Sequence, residues 1–527
     1  MKKFVSGQRT GLPFLGSILA GLTMAQTSGA NHFNSGKDTG ERPNVIIIYA
    51  DDLGYGDLGC YGATKVRTPN IDKLASQGRL FTDMHVASAV CTPSRYALLT
   101  GEYPFRIGSF GPVFDEQDLL IDVNKLTIAD VMKKSGYATA AIGKWHLGFG
   151  EGKPDWNGQL KPGPLELGFD YYFGIPTVSS HPPFVYVENH AVKGSDPNDP
   201  IVYGKRAETK IFDEKMDINK MGGAKAAHAM YDDEKVGMTL VQKATAWIKA
   251  NKHHPFFLYY PTTNIHHPFT PHPRFRGTSD CGRYGDFIHE LDWIVGKIMN
   301  TLEKEKLTDN TLLIFTSDNG GMLNRGGQDA VASGHRLNGD LLGFKFDSWE
   351  GGQRVPMIVR WPGKIKAGTR SDQLISNVDI LHSLASLVGY ELQDNEAPDS
   401  YDMMPVLTGT TNRELRDNLV MAAFKKSNLA LRKGNWVFIG GQGGGGFSSK
   451  EPGSHTFGGP PALKFAGREN SDIKDGKIKA DAPPEQLYNL KKDLYQSRNV
   501  ILRYPDLTNR MRKMLRQIEV TGSSRPK

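Results

Sequence analysis

Short apolar runs closed by turn residues recur along most of this 527-residue chain, and longer stretches with helically spaced apolar positions separate them. Residues 45–50, 138–142, 256–260, 312–316 and 357–361 are apolar at nearly every position, the pattern of strands buried on both faces of a largely parallel sheet. Residues 69–77, 128–135, 232–250, 286–303 and 372–388 carry an apolar stripe and predict helices. Thr68 and Pro69 give the first helix a cap and an N1 proline, and Gly78 ends it. Strands alternating with helices predict a doubly wound α/β sheet flanked by helices.

Near Leu407-Thr408-Gly409 the pattern changes. Shorter apolar segments at 429–432, 435–439 and 486–489 and a final helix over 506–518 predict a smaller C-terminal α+β domain of antiparallel strands. The division is 43–409 for the larger domain and 410–527 for the smaller. The Gly-rich insertion 440–461 cannot build a packed core and reads as an irregular loop, either a surface excursion or a functional one. Residues 1–30 read as a signal peptide, with Lys2, Lys3 and Arg9 ahead of the apolar stretch 12–24 and small residues around Ala25 and Ala30. The alternative is a disordered start, because Gly and Pro interrupt that stretch. Residues 31–42 are polar and read as a linker. No other stretch is long and apolar enough to span a bilayer, so the expectation is an exported protein, periplasmic or secreted, with no membrane span.

Composition mostly excludes. Cys60, Cys91 and Cys281 are too few for a disulfide framework, and whether Cys60 pairs with Cys281 stays open. The net charge of +7 is diffuse, with no basic cluster interleaved with aromatics, so no nucleic-acid partner is expected. A mildly basic surface does suit a polyanionic substrate.

Candidate chemistry falls just after the predicted strands, where open α/β sheets bind ligands. Asp51 and Asp52 follow 45–50, and Asp318 and Asn319 follow 312–316. Either pair alone is ordinary turn chemistry. Together they make an oxygen-rich site for a hard divalent cation such as Ca2+. Lys144 and His146 follow 138–142, His266 follows 256–260, and Lys345 lies in a Gly-flanked segment before 357–361. Cys91 alone would read as a buried core thiol. Here Pro93 suits a first helical turn, Thr92 and Ser94 are candidate caps, and 96–99 give an apolar face. That sets Cys91 at a helix N-terminus, where an anionic group is favoured.

Cys91-Thr92-Pro93-Ser94-Arg95, closed by Thr100-Gly101, resembles the signature of type I sulfatases. Gly143-Lys144-Trp145-His146-Leu147-Gly148, Asn264-Ile265-His266-His267-Pro268 and the segment from Gly343 through Lys345 to Gly352 follow in that family's order. The resemblance covers 43–409 and continues more weakly through 431–436 and 486–490. It implies an alkaline-phosphatase-like mixed sheet with a small C-terminal sheet domain. It implies Ca2+ held by Asp51, Asp52, Asp318, Asn319 and Cys91, with Cys91 oxidised to Cα-formylglycine by a formylglycine-generating or anaerobic sulfatase-maturating enzyme. Lys144 and Lys345 would offset sulfate charge, Arg95 and His146 would orient the nucleophile, and His266, sharing the place with Lys345, would protonate the leaving alcohol. In the segment 174–181, Ser180 and His181 rank ahead of Ser179 as substrate contacts. His335, Arg336 and Asn338 either contact the organic part of the substrate or form a solvated turn. The expected activity is calcium-dependent hydrolysis of sulfate monoesters on a saccharide of galactose or hexosamine type, or on an aryl sulfate. The alternatives are a phosphomonoester or phosphonate hydrolase of the same superfamily and an unmodified glycan-binding protein.

Overall fold

The strand Asn44–Ala50 is buried along its whole length and divides the core in two. Val45, Ile47 and Tyr49 pack into one apolar cluster, while Ile46, Ile48 and Ala50 pack into the other, as the two-residue period of a strand requires. In this computed structural model, residues 42–211, 218–447 and 457–525 are described. The signal peptide, nearly all of the linker, and residues 448–456 of the Gly-rich insertion lie outside them.

Ten strands form one sheet in the order Thr369–Ser371, Arg79–Phe81, Met357–Arg360, Thr311–Ser317, Asn44–Ala50, Phe256–Pro261, Ala138–Lys144, Tyr171–Ile175, Val187–Glu188, Ala191–Val192. The five from Thr311–Ser317 to Tyr171–Ile175 run parallel to one another. Met357–Arg360, expected among the parallel strands, is antiparallel to both of its neighbours, so the sheet is mixed. Helices Pro69–Gln77, Val236–Ala250 and Gly282–Lys304 pack their apolar stripes on one face, and Ile128–Lys134 and Ile380–Val388 theirs on the other.

Three local readings are corrected. The expected helix 372–388 begins only at Ile380, because Ile375–Ser376 pairs with Met84–His85 and the 3-10 turn Asn377–Asp379 follows. Asn377 there donates to Ser94 O, and Asp379 accepts from Ser376 N, bonds that a continuous helix would forfeit. Thr68 stands at the N-cap position of Pro69–Gln77, but its hydroxyl donates to Asp72 instead. Thr92 and Ser94 are not caps either, since Cys91 is the first residue of its helix and Val90 precedes it as an uncapped N-cap. The Thr92 hydroxyl donates to His146 O, and Ser94 Oγ bonds to Tyr49 OH.

A four-stranded antiparallel sheet, Asn418–Met421, Ala430–Lys433, Trp436–Ile439 and Gln486–Asn489, forms the C-terminal module with the helix Pro505–Val520. It shares an apolar cluster with Ala97 of the Cys91 helix and with Trp349. Polar bonds add to that seam. Arg432 grips Asp83 with two 2.6 Å bonds, Arg354 reaches both Asp83 and Glu350, and His85 Nε2 lies 3.0 Å from Glu350. Cys60, Cys91 and Cys281 are all free thiols. Among the described residues no helix is long and apolar enough to cross a membrane.

Candidate active site

Parallel strands deliver their polar side chains to one edge of the sheet, and that edge collects Asp51, Asp52, Lys144 and Asp318. Carboxylate oxygens of Asp51, Asp52 and Asp318 lie within 4.8 Å of one another, and all three residues are buried. Asn319 donates its amide to Asp52 Oδ1 at 2.8 Å. Its Oδ1 and Asp52 Oδ2 are buried with no hydrogen-bond partner, so two hard oxygen acceptors remain open beside three carboxylates. This donor set fits a calcium ion and offers no soft ligand. Cys91 lies outside the 4.8 Å group. Asp52 adopts φ +59, an unfavourable conformation for a side-chain-bearing residue, held by its N–H bond to Asp318 Oδ1.

Three buried cations surround the carboxylates. Arg95, on the Cys91 helix, bonds to Asp318 at 2.7 Å and Asp51 at 3.3 Å. Lys144 places two of its three N–H bonds on Asp51 at 2.8 Å, which leaves one to give. Lys345 lies 2.6 Å from Asp52 Oδ1. Burial alone would raise the Asp318 carboxyl, and it does so even against the opposing pull of Arg95.

The Cys91 thiol is raised by burial in spite of Lys144 and Lys345, and so stays neutral. The helix that presents it is buried at all ten positions. Four histidines share its cavity, and His146 and His266 are the two of them expected to do chemistry. His146, at φ +58, is buried with both ring nitrogens unpartnered, and burial followed by Lys144 and Arg95 holds it well below the usual imidazole range. His266 is lowered by burial and Lys345. Its Nδ1 lies 2.6 Å from His267 O, which can only accept, so Nδ1 carries the proton and Nε2 points toward Asp52 Oδ2 at 3.8 Å.

The cavity above Cys91 has a volume of about 290 Å3. His146, His266, Lys345, Ser180 and His181, all named from the sequence, line it. Ser180 Oγ lies 3.0 Å from His181 Nδ1, and the His181 ring rests 4.8 Å from Phe114. His335, Arg336 and Asn338 do not line it. His335 is spent on Asp57 at 2.7 Å, a carboxylate that Tyr284 OH also grips, and Asn338 bonds Gly321 N and Gly343 O. Arg336 pairs with Asp340 on the surface. These three prop the loops behind the site. Most of the residues that sequence reasoning missed are apolar: Phe114, Met322, Phe346, Phe424, Phe447 and Phe457 complete the wall together with Pro112, Val178 and His267. A phenylalanine beside a catalytic motif carries no signal that separates wall from core.

The chain matches the Sulfatase family model over residues 43–390. It is 39% identical over 517 residues to an N-acetylgalactosamine-6-O-sulfatase of Bacteroides thetaiotaomicron, covering 92% of this chain and 95% of that protein. The human N-acetylgalactosamine-6-sulfatase is 34% identical over 374 residues, 69% of this chain and 66% of the relative. A solved sulfatase structure from glycosaminoglycan metabolism in Bacteroides thetaiotaomicron superposes with TM-score 0.79 at 37% identity, covering 92% of this chain and all of that one. The phosphonate monoester hydrolase of Agrobacterium radiobacter shares the fold alone, at TM-score 0.54 and 20% identity over 91% and 96% of the two chains.

Proposed function

The chain belongs to the sulfatase family and is a sulfuric ester hydrolase, and from that premise we propose that it removes 6-O-sulfate from an N-acetylgalactosamine-type sugar, using Cys91 after its conversion to formylglycine. The single observation that carries the site assignment is the meeting of Cys91, His146, His266 and Lys345 in one cavity beside a buried acidic group. Support for the sugar comes from the relatives that match the chain over most of its length. A calcium ion held by Asp51, Asp52, Asp318 and Asn319 would polarise a sulfate oxygen. Formylglycine at position 91 would supply an oxygen nucleophile where the thiol stands.

The remaining work falls to fixed side chains. The free N–H bonds of Lys144 and Lys345 hold the equatorial sulfate oxygens, where charge builds as the ester bond breaks. Arg95 locks Asp51 and Asp318 in place beneath the nucleophile. His146, neutral and with both nitrogens open, takes the proton that the nucleophile must lose. His266 faces the leaving oxygen. Burial and, after it, Lys345 hold this imidazole neutral in the free site; the negative charge of an arriving sulfate ester opposes Lys345 and favours a proton on Nε2, which passes to the departing alcohol. Residues 1–30 support export, and Cys91 needs a maturation enzyme in the producing cell.

Mass spectrometry of the Cys91 peptide and desulfation of 6-sulfated N-acetylgalactosamine test the reading together. The expected result is a peptide lighter than the thiol form and release of sulfate, with Cys91→Ala folded and inactive. Faster turnover of an aryl phosphate than of any sulfate ester, or full activity from an unmodified thiol, defeats it.

A further inference from the structure

A groove of about 860 Å3 runs between the helices Pro69–Gln77 and Gly282–Lys304, and none of the residues of the active site lines it. The two helices meet at Gly296, where a Cβ would lie 2.6 Å from the Asn70 side chain. Lys297, Asn300 and Glu303 continue from Trp293 along one helical face, which makes the groove about 15 Å long. Lys306, Thr308 and Asp309, in the turn that enters the strand Thr311–Ser317, complete it together with Arg360. Asp318 stands at the exit of that same strand. Arg360 pairs opposite Leu313, so the groove lies about 17 Å down the sheet from the carboxylates of the active site, on the other edge.

Arg360 is 3% exposed, yet its guanidinium is only partly satisfied. Nη1 donates to Gln77 Oε1 at 2.9 Å, while Nε and Nη2 are buried with no hydrogen-bond partner. Those two are the donors that lie side by side in a guanidinium, the fork that fits two oxygens of one oxyanion. Burial lowers the pKa of this group, with Glu303 and Asp309 opposing from too far to bond, and an arginine keeps its charge all the same. The Thr308 hydroxyl on the same lining is also buried and unpartnered. Lys73, Lys297 and Lys306 stand exposed around the groove, and among the described residues none of them is ion-paired. Four cations against two carboxylates leave the groove positive.

We propose that this groove is a second, non-catalytic site that binds an acidic oligosaccharide: one sulfate or carboxylate accepts from Nε and Nη2 of Arg360, and Lys73, Lys297 and Lys306 take further anionic groups along the chain. Two buried charged donors without an acceptor are costly, and an oxyanion on the fork removes that cost. The groove is longer than one sugar ring, which suits a chain. The choice of a saccharide over other polyanions rests on the sulfated-sugar reading, whereas the anion site stands on Arg360. A glycan held at this edge tethers the enzyme and raises the local concentration of sulfate esters around the catalytic cavity at the other.

Full-length Cys91→Ala protein, which binds without turnover, is acetylated at increasing concentrations of an octasaccharide of alternating glucuronic acid and 6-sulfated N-acetylgalactosamine, and each lysine is read by mass spectrometry. Lys73, Lys297 and Lys306 should lose most of their acetylation, while the exposed Lys491 and Lys492 keep theirs. In Arg360→Gln the concentration that half-protects these lysines should rise about tenfold. The double variant Lys73→Ala/Lys306→Ala, confined to the surface, should raise it similarly at Lys297 and covers the case in which Arg360→Gln does not fold. With Cys91 intact and matured, both variants should desulfate 6-sulfated N-acetylgalactosamine within about twofold of wild type. Unprotected groove lysines, or protection that neither variant weakens, overturns the inference. So does equal protection by inorganic sulfate at the same concentration, which would make this a site for a free anion, or tighter protection by an oligonucleotide of equal charge. If 6-sulfated N-acetylgalactosamine is not desulfated but the lysines are protected, the proposed activity alone fails; if it is desulfated and they are not, the groove alone fails.

Discussion

Lys345 is 2% exposed, and burial alone would lower its pKa; Asp52, 2.6 Å away, with Asp51 behind it, more than offsets that and raises it. It is therefore a permanent cation set against the sulfate pocket. Lys345→Ala is expected to lower kcat about a hundredfold to a thousandfold, the loss typical of removing one donor from developing charge. A variant within a few-fold of wild type on 6-sulfated N-acetylgalactosamine would place the lysine outside the chemistry. Asp318 makes the parallel case for the metal. Calorimetric titration of apo-enzyme should show one calcium bound, and Asp318→Asn should weaken it by about tenfold or more. Unchanged affinity in that variant would remove Asp318 from the ligand set. At this scale the sequence was informative wherever polar residues followed apolar runs, as for Asp51, Lys144 and His266. It was silent on the setting of His335, whose partner Asp57 is 278 positions away.

The elements that hold these residues were legible where one period dominated. The helix Pro69–Gln77 and the strand Gln486–Asn489 match the periodic reading to the residue. Legibility failed where side chains compete with the backbone for bonds, as at Asn377 and Asp379, and where the order of strands in space decides their direction, as at Met357–Arg360. The Gly-rich insertion failed differently. Its composition says only that no side chains pack there, whereas the need for glycine at 444 and 458 comes from Asp347, some 100 residues earlier in the chain. Buried polar links between elements are equally silent in sequence. Asp83 joins the strand Met84–His85 to Arg354 and to Arg432 of the C-terminal sheet. Asp83→Asn leaves two guanidinium groups short of a partner and should cost about 3 kcal/mol of stability in denaturant unfolding. A loss within error of zero would mean that the apolar seam alone holds the C-terminal sheet in place.

For the whole molecule, buried carboxyl groups of opposite habit set the dependence of stability on pH. Burial pushes Glu290 up to about 8, Asp347 to about 7 and Asp292 to about 6. Each keeps its proton in the folded chain where the unfolded chain has lost it, so the contribution of these three falls as pH rises from about 4 to about 8, against a smaller opposite one from the lowered His146 and His266. Asp83 and Glu350 are buried as well, but the cations around them, Arg354 foremost, hold both below the usual range, so their contribution is lost only as pH falls through those lowered values. Thermal unfolding in saturating calcium should accordingly show a higher Tm at about pH 5.5 than at about pH 8.5, with the gap narrowed in Glu290→Gln. A flat profile, or one that Glu290→Gln leaves alone, contradicts this assignment. The full burial of the helix Cys91–Thr100 sets a clock on the life of the protein. Once the sheet and the C-terminal module close around that helix, no second enzyme can grip the peptide on either side of Cys91. If Cys91 matures as proposed, oxidation of that side chain has to run ahead of folding, while the chain is still open. Purified thiol-form protein given a competent maturation enzyme should stay a thiol until it is unfolded, and mass spectrometry before and after a denaturation cycle reads who won.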